Sequence, residues 1–198
     1  MNLLRIKKYV YVKLFYLFYK DSFGYMGKNV RVYAPLSIEG IGNIKINNNV
    51  TIGYKGWLAS KGLEKGCMSV LEIGSETYIG NFSHIYSTKK ITIGKNVLIA
   101  DNVYISDNLH SYEDINTPIM YQTIKQCNSV DIGDGSWIGE HVCIIGAKIG
   151  KNCVIGANSV VTKDIPDFSI AVGSPAKIIK QYNVDNSAWE KMNHIIDD

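Results

Sequence analysis

A step of six residues runs through this chain, and few folds can satisfy it. An aliphatic residue followed by glycine recurs at Ile52-Gly53, Ile73-Gly74, Ile79-Gly80, Ile93-Gly94, Ile132-Gly133, Ile138-Gly139, Ile149-Gly150 and Ile155-Gly156. Between these pairs the step continues as Ile93, Ile99, Ile105, then Ile132, Ile138, Ile144, then Ile149, Ile155, Val161. A helix repeats every ~3.6 residues and a half-buried strand every ~2. A period of six suits a coil of short strands, with an inward residue at every sixth position and a turn directly after it. Gly94, Asn96, Gly133, Gly150 and Asn152 fall in those turns, where positive φ is expected to favour them. An antiparallel sandwich spaces its strands at about eight to twelve residues and does not hold this step. The interval from Ile144 to Ile149 is one residue short, so a corner must tighten there.

The 198 residues suit one domain with a continuous core, and 46% apolar against 20% charged residues marks a globular chain. A net charge of +3, with no Lys/Arg cluster interleaved with aromatics along the body, argues against a nucleic-acid partner. Cys67, Cys127, Cys143 and Cys153 form no CxxC pair. They read as reduced thiols of a cytoplasmic protein, with Cys143 and Cys153 as small core residues. The four histidines include no closely spaced pair of the kind a zinc site uses, so no metal is expected.

Residues 1–24 form an N-terminal helical segment, and residues 25–182 form the repeat body. Within 1–20, Arg5, Lys7, Lys8, Lys13 and Lys20 stand without an acid, while Leu3, Ile6, Val10, Leu14, Leu17 and Phe18 fall near helical spacing. No cleavage site follows, and Lys13 interrupts any membrane span. The apolar stripe and the aromatics Tyr9, Phe15, Tyr16, Phe18 and Tyr19 are expected to pack on the body. The alternative is a basic helix on an anionic membrane surface. Two segments escape the period, residues 54–69 and 106–129, and read as excursions from the coil. The second is long enough to suggest function. At the end, Ser187-x-x-Glu190 reads as a capping box opening a C-terminal helix over 183–198, which would carry Trp189, Met192 and Ile196.

The run "SVDIGDGSWIGEHVCI" and the closing "VIGANSVVTKDIPDFSIAVGSPAKIIK" resemble the hexapeptide-repeat acyltransferases. The resemblance is greatest to the branch holding galactoside and maltose O-acetyltransferases and the O-acetyltransferases of capsule and O-antigen pathways. It covers roughly residues 70–182. It implies an all-β, left-handed parallel β-helix, a homotrimer with active sites between neighbouring subunits, and acetyl-CoA lying along the C-terminal coils.

Acetyl transfer to a hydroxyl needs a base for the proton released as oxygen attacks the thioester, and imidazole suits that task. His110 follows "IADNVYIS" at the place where the resembling sugar acetyltransferases keep a catalytic His, although Ser111 stands where many relatives have Pro. The same resemblance implies acceptor contacts from Asn81, Ser83 and His84. It implies cofactor contacts from Trp137, Ala157, Thr162, Lys163, Lys177 and Lys180. Lysine at the last two positions gives point charges rather than bidentate forks for a 3′-phosphate. His141 and His194 receive no role. The function so implied is O-acetylation of a saccharide hydroxyl in surface polysaccharide biosynthesis. Alternatives are N-acetylation of an amino-sugar nucleotide, and a non-catalytic β-helix scaffold.

Overall fold

Each turn of the chain lays down three short strands and then stacks on the turn before it. The computed structural model describes residues 3–64 and 66–192. Successive strands visit three parallel faces in rotation. Tyr25–Met26, Ile44–Ile46, Val70–Ile73, Lys90–Ile93, Val130–Ile132 and Lys148–Ile149 build face one. Face two contains Arg31–Val32, Thr51–Ile52, Tyr78–Ile79, Leu98–Ile99, Trp137–Ile138 and Val154–Ile155. Face three contains Ser37–Glu39, Trp57–Ser60, His84–Ser87, Tyr104–Ser106, Cys143–Ile145 and Val160–Val161. The result is a parallel β-helix of three faces.

The six-residue step is the interval between inward positions on neighbouring faces. On face one Ile46, Ile73, Ile93, Ile132 and Ile149 pair in register down the stack. Ile52, Ile79, Ile99, Ile138 and Ile155 do so on face two. Leu58, Ile85, Ile105, Ile144 and Val161 follow on face three. All of these side chains are buried. β-Branched residues suit such short, inward-packed strands, and burying each contributes about 1.5–3 kcal/mol.

The glycines after these residues are there for a different reason than positive φ. Asn96 and Asn152 do adopt positive φ, but Gly94, Gly133 and Gly150 do not. A Cβ on Gly94 would run into Asp134 Oδ1, and one on Gly150 into Asp167 Oδ1. Those carboxylates accept the Lys95 and Lys151 backbone N–H groups at 2.8 Å, tying each coil to the next. The short step at 144–149 is absorbed at Gly146, with φ of 55° and its N–H on Ser106 O at 2.9 Å. Buried Ala147 then fills the inner corner.

Several sequence expectations need correction. The excursion expected over 54–69 contains Trp57–Ser60, a regular strand of face three, so the break is confined to the residues after Ser60. Cys153 is buried as expected, but Cys143 faces outward between Tyr104 and Val160. No helix opens at Ser187. Lys177–Asn183 turns back antiparallel on Ser169–Val172, and Ala188–Lys191 adds another antiparallel strand. Glu190 accepts from Asn183 Nδ2 at 3.0 Å and Asn186 Nδ2 at 2.6 Å, so it closes a hairpin instead of a capping box. Trp189 meets Tyr182 edge-on at 5.5 Å. The open edge of face two offers unpaired backbone groups, and pairing them outweighs local helix signals. The remainder of the expected helix, including Ile196 and His194, lies outside the described residues.

The helix α1 (Leu3–Tyr19) packs on face two at the start of the coil, but not through the expected stripe. Its buried residues are Val12 and Phe15. Leu3, Val10, Leu14, Leu17 and Phe18 point away from the body and are exposed. A helix this wide in apolar residues has more than one face to bury, and β-branched Val12 with flat Phe15 fits the pleated wall. Among the described residues no helix is long and apolar enough to cross a membrane.

Candidate active site

The excursion over 106–129 leaves the coil at the corner between faces three and one. Asn108–His110 and Ile124–Gln126 form an antiparallel hairpin, with His110 opposite Ile124 and exposed. Its foot is fastened by a residue the sequence reading missed. Asp107 is fully buried. Its Oδ1 accepts Thr88 N at 2.7 Å and Thr88 Oγ1 at 2.8 Å, and its Oδ2 accepts Lys89 N and Lys90 N, each at 2.8 Å. Three backbone donors and a hydroxyl converging on one carboxylate compensate its burial. On the other strand Gln126 Nε2 donates to Asp107 O at 2.6 Å, and Cys127 N does so at 2.8 Å. The signal that could have found Asp107 is its place: an acid directly at the point where the period breaks. Further out, the Glu113–Lys125 pair at 2.6 Å links the loop to the returning strand. Hydrogen bonding to Lys125 holds the Glu113 carboxyl at about 2.

The three expected acceptor residues are treated differently by the fold. Asn81 Nδ2 donates to Asp101 Oδ2 at 2.9 Å while its Oδ1 accepts Tyr54 N at 2.8 Å, so its amide is used to join coils. Ser83 is buried in the same corner. His84 alone faces outward, on face three. It stacks on Trp57 at 4.2 Å and 10°, and meets Tyr104 edge-on at 5.3 Å. Burial holds its imidazole below the ordinary value, with the Glu39 carboxylate working the other way. Its Nε2 is buried without a hydrogen-bond partner among the described residues. Trp57 and Tyr104 were not singled out by the sequence, because their adjacency comes from stacking of coils far apart in the chain.

The expected cofactor residues fall into two groups. Thr162 and Lys163 are exposed just after Val160–Val161, at the corner from which the hairpin springs in an earlier coil. Trp137 is half-exposed on face two, Ala157 lies exposed at the next corner, and Lys177 and Lys180 belong to the antiparallel strand extending face two. Within one chain the second group and His110 lie on different sides of the prism. Among the described residues no group of three His, Cys, Asp or Glu side chains could hold a metal ion.

Residues 129–163 match the family described as the hexapeptide repeat of succinyl-transferase. Over 77 residues the chain is 44% identical to an Escherichia coli protein named as a lipopolysaccharide-biosynthesis O-acetyl transferase, covering 38% of this chain and 39% of that one. Over 82 residues it is 44% identical to a Mycobacterium tuberculosis protein named as an acetyltransferase, covering 41% of this chain and 26% of the relative. These matches thus span well under half of the relatives' own length. The chain also superposes on an N-acyltransferase from Bacillus cereus solved with dTDP and 3-hydroxybutyryl-CoA. The TM-score is 0.70 at 26% identity, over 84% of this chain and 87% of that one.

Proposed function

We propose that this chain is an acetyl-CoA-dependent acetyltransferase acting on a saccharide hydroxyl, with His110 as general base, in a cytoplasmic pathway of surface polysaccharide synthesis. The observation that carries the reading is the anchored hairpin: an exposed imidazole held at a fixed corner by the buried Asp107 clamp, beside the coils that match the acyltransferase repeat. A rigid support of this kind is what positional catalysis needs. In the reaction His110 takes the acceptor hydroxyl proton as the oxygen attacks the thioester carbonyl. The C–S bond then breaks, and the imidazolium returns the proton to the departing sulfur, giving the ester and free CoA thiol. Trp57, His84 and Tyr104 offer an aromatic platform against which a sugar ring could lie.

The separation of His110 from Trp137, Ala157, Lys177 and Lys180 within one chain favours a site completed by a neighbouring copy. We therefore read the assembly as a homotrimer of left-handed β-helices, with residues 25–182 as the catalytic body and acetyl-CoA along its C-terminal coils. Lys177 and Lys180 would meet its 3′-phosphate, Ala157 would offer backbone to its pantetheine arm, and Thr162 and Lys163 would lie alongside the cofactor. N-acyl transfer to an amino sugar is a second reading, favoured by the likeness to the Bacillus cereus N-acyltransferase.

The test is acetyl-CoA turnover against sugars, amino sugars and nucleotide sugars, read as thiol release. His110→Ala should lower kcat by about 10²–10⁴-fold while acetyl-CoA still binds. A variant keeping more than about a tenth of wild-type kcat would remove His110 as the base. Turnover with amines alone would move the reading to N-acylation, and no turnover with any acceptor would leave a scaffold.

A further inference from the structure

A cavity of about 600 Å³ separates α1 from the first coil, and its charge is one-sided. Arg5, Lys8 and Lys13 of the helix face Lys28 and Arg31 of the coil across it, and no acid lines it. None of these five cations is in an ion pair among the described residues. Lys8 lies 5.1 Å from the Tyr54 ring centroid and Lys13 5.5 Å from that of Tyr9, contacts that orient the charges without neutralising them. Five like charges around one cavity give it a positive potential that attracts anions. The opposite side of the same helix is exposed and, apart from Lys7, apolar: Leu3 is 65%, Leu17 62% and Phe18 72% accessible, with Val10 and Leu14 between them. An exposed apolar face of this size marks an interaction surface.

We propose that α1 docks the protein on an anionic phospholipid surface, its outer face lying among the acyl chains and its basic cavity receiving lipid phosphates. The two features sit on one 17-residue helix that carries no acid, which is the composition of an interfacial helix. A second copy of the chain is a poorer occupant, because it would cover the apolar face and leave the five cations around the cavity without an anion. Soluble phosphate would account for the cavity and leave the apolar face unexplained. This inference does not depend on the role of His110.

The experiment is co-sedimentation of the full chain with phosphatidylcholine vesicles, with and without phosphatidylglycerol, alongside calorimetry with inorganic phosphate. Binding to the anionic vesicles alone, weakened by salt, is expected. Lys8→Ala with Arg31→Ala should lower the partition coefficient about 30-fold, about fivefold for each cation. Leu14→Glu with Phe18→Glu should abolish it while leaving the melting temperature unchanged, since both side chains point away from the body. Equal binding to neutral vesicles, or none to anionic ones, overturns the proposal. So does phosphate binding without vesicle binding. The outer-face variant tests the idea even if the cavity variant does not fold: vesicle binding at wild-type strength, or a changed oligomeric mass without lipid, would show that lipid is not what this face meets.

Discussion

Replacing Asp107 by Asn tests whether the hairpin is held as the geometry indicates. The two side chains have the same shape, so no cavity is created and the effect isolates acceptor chemistry. Oδ1 serves Thr88 N and the Thr88 hydroxyl, and Oδ2 serves Lys89 N and Lys90 N. An amide has one oxygen, so one of these sites must present N–H₂ to backbone donors. The less costly orientation keeps oxygen toward Lys89 and Lys90. The Thr88 hydroxyl already lies 3.1 Å from Gln126 Oε1 and can donate there instead. Thr88 N–H is then left buried without an acceptor, at about 1–3 kcal/mol. The other two bonds lose their charge assistance, which adds about 1 kcal/mol. The sum is about 2–4 kcal/mol. With a urea slope of about 2 kcal/mol/M, the unfolding midpoint should fall by about 1–2 M. The Thr88 amide should also exchange its hydrogen faster than its neighbours within the coil. If the hairpin carries the base, kcat should drop by up to about 100-fold, because a displacement near 1 Å is enough for that. A variant with the wild-type midpoint, Thr88 exchange and kcat would refute the clamp.

Other outcomes follow from the stacking and from the aromatic platform. Ile105→Ala removes a fully buried side chain between Ile85 and Ile144, and should destabilise the chain by about 2–5 kcal/mol in the same urea assay. Burial lowers the His84 imidazole in the folded chain, so folding favours the neutral ring. That contribution is complete above the unfolded value of about 6.5 and is lost as pH falls below it toward the folded value. The melting temperature should therefore drop more between about pH 7.5 and pH 5 in the wild type than in His84→Phe, which keeps the stack on Trp57. Parallel profiles for the two would show that the ring does not titrate against its surroundings.

How much was legible depends on how local each decision was. The interval from Ile93 to Ile99 to Ile105 is set by the length of one short strand and one corner, and it appears directly in the order of residues. From it the coil of short strands, its inward side chains and the break at 106–129 could all be read. His110 could be singled out because it stands in that break and because the surrounding motifs resemble a family that keeps a base there.

What the sequence could not hold is which coil lies against which. Asp107 meets Thr88, Lys89 and Lys90 because one full turn of the coil carries those positions into contact, and no local pattern marks the pairing. The same stacking makes Gly94 and Gly150 necessary for close approach of a neighbouring aspartate, where the turn signal suggested positive φ. At the tail, Ser187 and Glu190 carried a helix start, but the unpaired edge of face two drew Lys177–Asn183 and Ala188–Lys191 into antiparallel strands. In α1, helical spacing showed that apolar residues share a side, and Phe15 was among the aromatics expected on the body. Only packing against the first coil decided that Val12 turns inward with it while Leu14 and Phe18 stay outside. Periodicity is a property of consecutive residues. Which face is buried, and which charge finds a partner, is settled by surfaces that meet only once the chain has coiled back on itself.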